Sequence, residues 1–219
     1  MSSLALMRFL ESVPSRYDWG MKLITFGGVD RVHDTIATMA VKDPGDRVLE
    51  IGCGTGSVTE RLLRGGAQVL ALDQNPDMLD IAKGRIQHID PKSIEWREST
   101  AAEIDGLPEE SFDAVVISLC LSDMDPQERR FVLDQSLARL KKSGRIVVGD
   151  EVVPRHAIYR LVGTLLRLPQ IPLAWLLTGI LSKPIKNLNE ELLHAGFEIT
   201  LEKRWRFESL AVVVGEKRR

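Results

Sequence analysis

The sequence predicts an α/β fold in which a mostly parallel sheet carries helices on both faces. From Arg47 onward, short apolar runs of strand length alternate with patterns of helical period, as in βαβ units. A glycine-rich turn, "VLEIGCGTG", spans residues 48–56 and includes the first of these runs. The 219 residues show no repeat and no break in composition, so we expect one sizeable core with appendages.

The elements follow in a regular order. Residues 3–41 have a helical pattern that ends with Val32, Ile36, Met39 and Ala40 on one face. The strand-like segments are "RVLEIG", "AQVLALD", "IEWRE", "FDAVVISL" and "GRIVVGD". The helical segments between them are "SVTERLLRGG", "PDMLDIAKGRIQHI" and "PQERRFVLDQSLARLKK". The chain closes with "GFEITLEKRWRFESLAVVVGEK", two strand-like runs joined tightly enough to form a hairpin.

Capping residues mark where two of the helices begin. Asn75 stands before Pro76, and Asp125 stands before Pro126, with Glu128 three positions after the cap. Each pair places a capping side chain ahead of a proline at the first helical position. Both helices are therefore expected to begin at the proline.

The expected organisation has two parts. Residues 1–44 form an N-terminal helical cap, and residues 45–219 form the main domain. A helical insertion at residues 155–195 separates the fifth strand from the closing hairpin. This insertion interrupts the alternation of strands and helices, so we expect it to shape a binding site rather than to extend the sheet.

Composition and charge exclude several classes of protein. The chain is 44% hydrophobic and 27% charged, as soluble globular proteins are. Its net charge of −2 divides into +4 for residues 151–219 and −6 for residues 1–150, too small an imbalance for a nucleic-acid-binding face. Cys53 and Cys120 fit two free thiols in a cytoplasmic protein, and no Cys/His cluster has the spacing of a metal site.

The glycine-rich turn does not fit the common phosphate-binding patterns. In an open parallel sheet, ligands lie beyond the carboxyl ends of the strands, where the first strand-to-helix turn lies. The dinucleotide pattern G-x-G-x-x-G would place a third glycine at position 57, but Ser57 stands there and Gly56 comes one residue early. A P-loop would need a lysine, and this turn has none.

Two acidic residues at strand ends point to a different ligand. Glu50 lies just ahead of the turn, where a carboxylate repels a pyrophosphate but attracts a cationic group. Asp73 ends the second strand, 17 residues after Gly56, where its two oxygens can accept both hydroxyls of an unphosphorylated ribose. A cationic amino-acid end and a free ribose together describe S-adenosylmethionine.

These residues resemble the class I S-adenosylmethionine-dependent methyltransferases. "VLEIGCGTG" is similar to their first motif, "LALDQNPDML" to their second, and "STAAEIDGLPEESFDAVVISL" to their third and fourth, with Thr100 where the family often has aspartate. The resemblance implies a Rossmann-like, seven-stranded, mostly parallel sheet with an antiparallel last strand. The residues expected to bind the cofactor are Glu50, Gly52, Cys53, Gly54, Gly56, Asp73, Gln74, Met78, Thr100, Ala101 and Ser118.

Further segments resemble two narrower groups. "RYDWGMKLITFGGVDRVHDTIA" is similar to the leading helices of the ubiquinone and menaquinone biosynthesis methyltransferases. "YDWGMKLITFGGVDRVHD", "SLCLSDM", "GDEVVPR" and "WLLTGILSKPI" are similar to the corrinoid protein-associated methyltransferases. The second resemblance implies association with a corrinoid protein, and it leaves the methyl acceptor open.

The reaction class does not require a particular catalytic side chain, because methyl transfer from a sulfonium depends mainly on proximity and exclusion of water. His33 on a leading helix can take a proton, or it can simply bond a neighbour. Asp150 and Glu151 end the fifth strand on the ligand side, where a carboxylate pair can relay a proton or cap the next helix. Cys120, in the loop after the fourth strand, can be a nucleophile or a small apolar filler.

Residues 156–181 form a broadly apolar segment. Pro169 and Pro172 interrupt it, and Arg160 and Arg167 lie within it, so we expect no membrane span. A lid over the acceptor, an interface with a partner or second subunit, and a helix at a membrane surface all remain open.

The sequence therefore predicts a methyltransferase that acts with a corrinoid protein or on a hydrophobic small molecule such as a quinone precursor or lipid. The alternative is a non-catalytic S-adenosylmethionine-binding regulator or partner of a corrinoid protein. A sensor needs affinity alone, whereas an enzyme also needs an open space beside the sulfonium methyl.

Overall fold

The computed structural model describes residues 28–160, 183–205 and 207–218. The helices and longer strands are, in chain order, α1 (Gly28–Ala40), β1 (Arg47–Ile51), α2 (Ser57–Arg64), β2 (Gln68–Asp73), α3 (Pro76–Arg85), β3 (Ile94–Glu98), β4 (Phe112–Ser118), α4 (Pro126–Arg139), β5 (Leu140–Glu151), α5 (Leu188–His194), β6 (Phe197–Trp205) and β7 (Leu210–Lys217). Short 3₁₀ turns lie at Pro91–Ser93, Ala101–Gly106 and Leu121–Asp123.

The seven strands form one sheet in the order β3-β2-β1-β4-β5-β7-β6. Strands β1 to β5 run parallel, and β7 runs antiparallel to both β5 and β6. This arrangement confirms the fold that the sequence predicts. The strand order reverses between β1 and β4, and the carboxyl ends of these two strands open a crevice at which ligands bind in such sheets.

Helices cover both faces of the sheet, because successive side chains of each buried strand point in opposite directions. On one face, Val48 and Val116 pack with Ile36 of α1 and Leu62 of α2. On the other face, strand residues such as Leu49 pack with the apolar sides of α4 and α5. The parallel strands are apolar on both sides, as expected for strands that are buried on both faces.

A buried arginine fixes α1 against the sheet. Arg145 of β5 is 4% exposed, and its guanidinium donates to the carbonyl oxygens of Met39 and Ala40 at the end of α1. It also donates to the carboxylate of Asp46 at 2.8 Å. Hydrogen bonds to Asp46 from Arg145 and from the backbone N–H of Lys42 outweigh the effect of burial and lower the pKa of this carboxyl. The cation lies at the negative end of the helix dipole, which favours this contact.

The opposite end of α1 reaches the carboxyl edge of the sheet. Gly149 of β5 lies directly against Ile36 and Val32, so a side chain at position 149 would displace the helix. Of the four residues predicted for the buried face, Val32, Ile36 and Ala40 are buried, whereas Met39 is only partly buried. The helix thereby brings its first turns to the crevice.

Two helices end earlier than their apolar patterns indicate. Helix α3 ends at Arg85 rather than near Ile89, and α4 ends at Arg139. Leu140 already belongs to β5, where it pairs with Phe112 of β4, so sheet pairing overrides the helical propensity of the following lysines. Both predicted N-caps are present: Asn75 accepts from the backbone N–H of Asp77, and Asp125 forms a capping box with Glu128.

Parts of the predicted organisation lie outside the described residues. Residues 1–27 of the N-terminal cap and residues 161–182 of the insertion belong to this part, so the division at residues 44 and 45 stays a prediction. Residues 157–160 are helical, and Ile185 bridges to Val152 at the end of β5. Among the described residues, no helix is both long and apolar enough to cross a bilayer.

Candidate active site

The glycine turn after β1 is held open by its backbone. Gly52, Gly54 and Gly56 have positive φ angles of 72°, 52° and 76°, which L-residues rarely adopt. The backbone N–H groups of Gly52 and Cys53 both donate to the carbonyl of Leu72 on β2, each at 2.9 Å. The turn therefore depends on β2 for its shape.

Each glycine serves a different purpose. A Cβ at Gly52 would lie 2.6 Å from Sγ of Cys120, and one at Gly56 would lie 2.8 Å from Cβ of Ala82 on α3. A Cβ at Gly54 would meet nothing within 4 Å, so open space lies on that side of the turn. Gly56 thus allows close packing of two elements, whereas Gly54 faces space that a ligand can enter.

Asp73 at the end of β2 ties the glycine turn to the next loop. One carboxylate oxygen accepts from the backbone N–H of Gly54 at 2.7 Å, and the other accepts from that of Asn75 at 2.9 Å. A carboxylate has about four lone-pair sites, so Asp73 can also accept a ligand hydroxyl. Burial raises the pKa of Asp73, although hydrogen bonds from backbone N–H groups oppose the shift.

Glu50 forms part of the floor of the crevice. The residue is 1% exposed, and Oγ1 of Thr59 on α2 donates to its carboxylate at 2.7 Å. Burial, with a smaller contribution from nearby Asp73, raises the pKa of Glu50 to about 8. Glu50 lines the cavity, and no pattern in the sequence indicates that Thr59 donates to one of its oxygens. A cation bound next to Glu50 would favour its ionised form.

A cavity of about 940 Å³ lies over the carboxyl ends of β1, β2 and β4. This volume is at the upper end of the roughly 300–1,000 Å³ that is usual for small-molecule sites. The cavity is lined by every residue that the sequence assigns to the cofactor except Gly56, whose role is the packing against Ala82. Of the candidate catalytic residues, it is lined by His33 and Cys120.

Asp150 and Glu151 are not among the residues that line this cavity in the described part of the chain. Asp150 is fully buried, and its carboxylate accepts from the backbone N–H groups of Ser122 at 3.2 Å and Glu151 at 2.7 Å. Burial raises the pKa of Asp150 to about 6. The expectation that this pair faces the crevice is therefore corrected: Asp150 holds the turn after β4 from behind, because its oxygens are taken by backbone donors.

The turn after β4 is strained. Leu119 has a positive φ of 52°, and its backbone N–H donates to the carbonyl of Gly149 at 2.8 Å. Such a conformation costs on the order of 1 kcal/mol for a residue with a branched side chain. The strain places Cys120 against Gly52, so the two turns at the end of the crevice pack directly on each other.

The two cysteines line the cavity as neutral thiols. Burial raises the pKa of both Cys53 and Cys120, and nearby carboxylates add to the shift. Since the thiolate is the nucleophilic form, the site does not activate Cys120 for covalent chemistry. Its contact with Gly52 shows a packing role instead.

Sequence reasoning missed residues that reach the cavity from helices. Val29 and Asp30 come from α1, Met124 from the turn before α4, and Gln127 and Phe131 from α4 itself. Phe131 is 37% exposed, unusual for a phenylalanine of a packed helix. In the sequence, only the position of α4, directly after a loop at the carboxyl end of β4, indicates that Gln127 lies near the cavity.

The fold and the site are those of the class I S-adenosylmethionine-dependent methyltransferases. The evidence in the geometry is the strand order, the open side at Gly54, and the carboxylate of Asp73 at the second strand end. The cofactor of this class is S-adenosylmethionine, and the residues present fit it without rearrangement of the turn.

Comparison with known proteins agrees with this class. Residues 48–144 match the sequence profile of the family described as "Methyltransferase domain". The chain is similar to demethylmenaquinone methyltransferase of Tropheryma whipplei (strain Twist), at 36% identity over 120 residues that cover 53% of this chain and 48% of the relative. It is also similar to demethylmenaquinone methyltransferase of Clavibacter sepedonicus, at 33% identity over 151 residues that cover 68% of this chain and 59% of the relative.

A solved structure shares the fold over most of its length. The 1,6-didemethyltoxoflavin-N1-methyltransferase of Burkholderia thailandensis, with bound 1,6-didemethyltoxoflavin and S-adenosylhomocysteine, has a TM-score of 0.64 and 17% identity. The alignment covers 94% of this chain and 88% of that protein. The match to the two demethylmenaquinone methyltransferases spans only 48% and 59% of their lengths, so the acceptor has to be argued from the site itself.

Replacing Asp73 with alanine should weaken binding of S-adenosylmethionine at least tenfold. The change removes charge-assisted hydrogen bonds to ribose hydroxyls, each worth about 1.5–3 kcal/mol. It also releases Gly54 and Asn75, so the melting temperature should fall. Calorimetric titration measures the affinity, and Asp77→Ala, an exposed acid one turn further on, is the control. Wild-type affinity in a folded Asp73→Ala protein would refute this role.

Replacing Glu50 with glutamine should stabilise the free protein and weaken cofactor binding. The folded chain keeps the Glu50 proton up to about pH 8, whereas the unfolded chain releases it near 4.5, so the wild type loses stability as pH rises between these values. Glutamine stays neutral, and its advantage should grow over this range to the order of 3 kcal/mol. Thermal melts at pH 5 and pH 8, with exposed Glu95→Gln as control, measure it. An equal difference at both pH values would contradict the assignment.

Proposed function

We propose that this protein transfers the methyl group of S-adenosylmethionine to an apolar small molecule of the quinone-precursor type. The observation that carries the proposal is the extent of the cavity. It continues from the glycine turn to a wall formed by α1, the turn after β4 and the first turns of α4. That wall presents Val29, Met124 and Phe131, which suit an apolar acceptor beside the cofactor.

The residues of the chain act mainly by position. When bound, S-adenosylmethionine supplies an electrophilic methyl group on a sulfonium. Asp73 and the open side of Gly54 orient the ribose and the chain of the cofactor, and Glu50 lies where it can favour a cationic group. The apolar wall excludes water and holds the acceptor in line with the methyl group. His33 lies on the same wall and can hold a proton that the acceptor releases.

Two observations bear on the acceptor. The relatives named demethylmenaquinone methyltransferase support a quinone-type acceptor. A corrinoid on a partner protein is the second candidate, because the segment "SLCLSDM" at residues 118–124 contributes Ser118, Leu119, Cys120 and Asp123 to the cavity wall. This segment, one of those that resemble the corrinoid-associated group, thus lies at the site where an acceptor would bind.

Turnover with labelled S-adenosylmethionine tests the proposal. We expect label on a chemically reduced 2-prenyl-1,4-naphthoquinol, with formation of S-adenosylhomocysteine, and loss of both in Asp73→Ala. A reduced corrinoid protein is offered in parallel, and label there in place of the naphthoquinol would favour the second candidate. Tight cofactor binding without turnover on either acceptor, or in extract of the host organism, would indicate a non-catalytic binding protein and overturn the proposal.

The protein is further proposed to work in the cytoplasm in peripheral contact with a membrane. Support comes from an exposed cluster at the start of the 156–181 segment. The rings of His156 and Tyr159 lie 5.5 Å apart, and those of Tyr159 and Phe207 lie 5.9 Å apart. Ile158 is 66% exposed and Phe207 50% exposed, so the cluster offers apolar side chains to a lipid surface.

Sedimentation with vesicles checks the membrane contact. The double variant Ile158→Glu and Phe207→Glu should reduce the fraction bound to phosphatidylcholine/phosphatidylglycerol vesicles several-fold, because each glutamate places a charge where an apolar side chain would enter the interface. Leu193→Glu, at a leucine on α5 that is 41% exposed, is the control. Wild type that stays in the supernatant, or equal loss in the control, would refute the contact.

A further inference from the structure

Acidic side chains outnumber basic ones among the described residues that line the active-site cavity. Among the described residues that line it are five carboxyl groups, those of Asp30, Glu50, Asp73, Asp123 and Glu128, and no lysine or arginine. A cavity lined by one sign of charge attracts ligands of the opposite sign and repels those of the same sign. The positions of the carboxyl groups along the cavity decide whether they act on the cofactor or on the acceptor.

Four of the five carboxyl groups have partners in the protein. Asp73 accepts two backbone N–H groups, and Glu50 accepts the hydroxyl of Thr59. Asp30 forms an ion pair with Arg61 at 3.2 Å. Glu128 completes the capping box of α4, where its carboxylate accepts the backbone N–H of Asp125 at 3.0 Å. These contacts orient the groups and use part of their capacity for hydrogen bonds.

Asp123 differs from the other four. It ends the 3₁₀ turn after β4, its side chain is exposed on the acceptor side of the cavity, and within the described residues no ion pair reaches its carboxylate. Asp150 and Glu151 stand behind it on β5 and add negative charge. The backbone N–H of Lys183 donates to the carbonyl of Ser122 in this turn at 3.3 Å, and Lys183 is not among the described residues that line the cavity.

A second feature of the same wall points to a polar group on the ligand. The hydroxyl oxygen of Ser118, at the end of β4, is buried and has no hydrogen-bond partner within the described part of the chain. Buried hydroxyls are nearly always paired, so a ligand atom or water is expected at this oxygen. The cavity therefore combines an apolar wall, an unpaired hydroxyl at the end of β4 and, on the turn that follows, the carboxylate of Asp123.

We propose that Asp123 selects the methyl acceptor by charge, so that the end to be methylated is uncharged or cationic and carries an O–H or N–H group, whereas carboxylates and phosphates are rejected. This inference rests on the proposed function and names the acceptor class of the same site. It excludes acidic precursors in which a carboxylate stands next to the methylated atom. A neutral phenol, quinol or amine meets the requirement.

The reaction itself gives a physical reason for this choice. A lone pair of the acceptor forms the new bond to the methyl carbon, the carbon–sulfur bond breaks, and its electron pair stays on sulfur as a thioether. The positive charge of the sulfonium moves to the acceptor atom, which then loses its proton to the carboxylate of Asp123 or to His33 and on to solvent. A carboxylate at this place stabilises the charge that develops there.

The affinities of two cofactor analogues test the electrostatic effect of Asp123, and this test does not require the acceptor to be known. Sinefungin carries an amine near the position of the transferred methyl group, whereas S-adenosylhomocysteine is uncharged there. Wild type should bind sinefungin roughly tenfold more tightly, as expected for opposite charges several ångströms apart at a protein surface. The ratio should fall several-fold in Asp123→Asn and invert in Asp123→Lys. Asp134→Asn, on the outer side of α4, should leave it unchanged.

Acceptor probes test the selectivity directly. With S-adenosylhomocysteine bound, fluorescence titration should show 2-naphthol and 2-naphthylamine binding at least tenfold more tightly than 2-naphthoate, and Asp123→Lys should reverse the order. Equal binding of the three probes, or an unchanged sinefungin ratio in folded Asp123→Asn and Asp123→Lys, overturns the inference. Charge selectivity without turnover would refute the proposed function alone, and turnover on a naphthoate would refute the charge selection alone.

Discussion

The site depends on one carboxylate, that of Asp73, which joins two loops that begin at neighbouring strands. Its oxygens accept from Gly54 on one side and Asn75 on the other, so the glycine turn and the start of α3 have a fixed separation. Backbone N–H groups at such turns need partners, and an acid at a strand end supplies two of them from one side chain. The cofactor is expected to bind to the lone pairs that remain, and the architecture of the loop and the affinity of the site thereby rest on the same residue.

The crevice keeps acids in places where burial makes their ionised forms costly. Glu50 is buried and has a pKa of about 8, and Asp150 behind the neighbouring turn has a pKa of about 6. A neutral residue of similar size would suit a purely structural position better, because a buried ionised group needs compensation. Proteins commonly give up stability in this way at functional sites. The thiols of Cys53 and Cys120, by contrast, are shifted toward their neutral forms, in which they pack as small apolar groups.

Local signals allowed the sequence to predict the sheet and most of the cofactor side of the site. Apolar runs predict β1 and β2, with Glu50 one residue before the end of β1 and Asp73 at the end of β2. Glycines predict the turn between β1 and α2. The acceptor side was not predictable in the same way. Gln127 and Phe131 reach the cavity because α4 folds back over the turn after β4, and no pattern within α4 records that approach.

The same limit explains why the sequence did not show what Gly56 and Asp150 contact. Gly56 belongs to the motif, but its necessity comes from Ala82 on a helix that lies far along the chain. Asp150 lies near the carboxyl end of β5, and neighbouring strands carry cavity-lining residues at their carboxyl ends. The oxygens of Asp150, however, accept from two backbone N–H groups. Contacts of this kind join segments that are distant in sequence, and position relative to a strand end cannot distinguish an acid that faces the ligand from one that supports the turn behind it.

Helix α1 connects the edge of the sheet at Arg145 with the wall of the cavity. Its 13 residues span about 20 Å. Arg145 donates to the last carbonyls at one end, and Asp30 and His33 line the cavity near the other. A rigid rod held at one end converts a small rotation there into a displacement at its tip. A change at Arg145 would therefore move Asp30 and His33 at the other end of α1 and alter the shape of the cavity without replacing any residue that lines it.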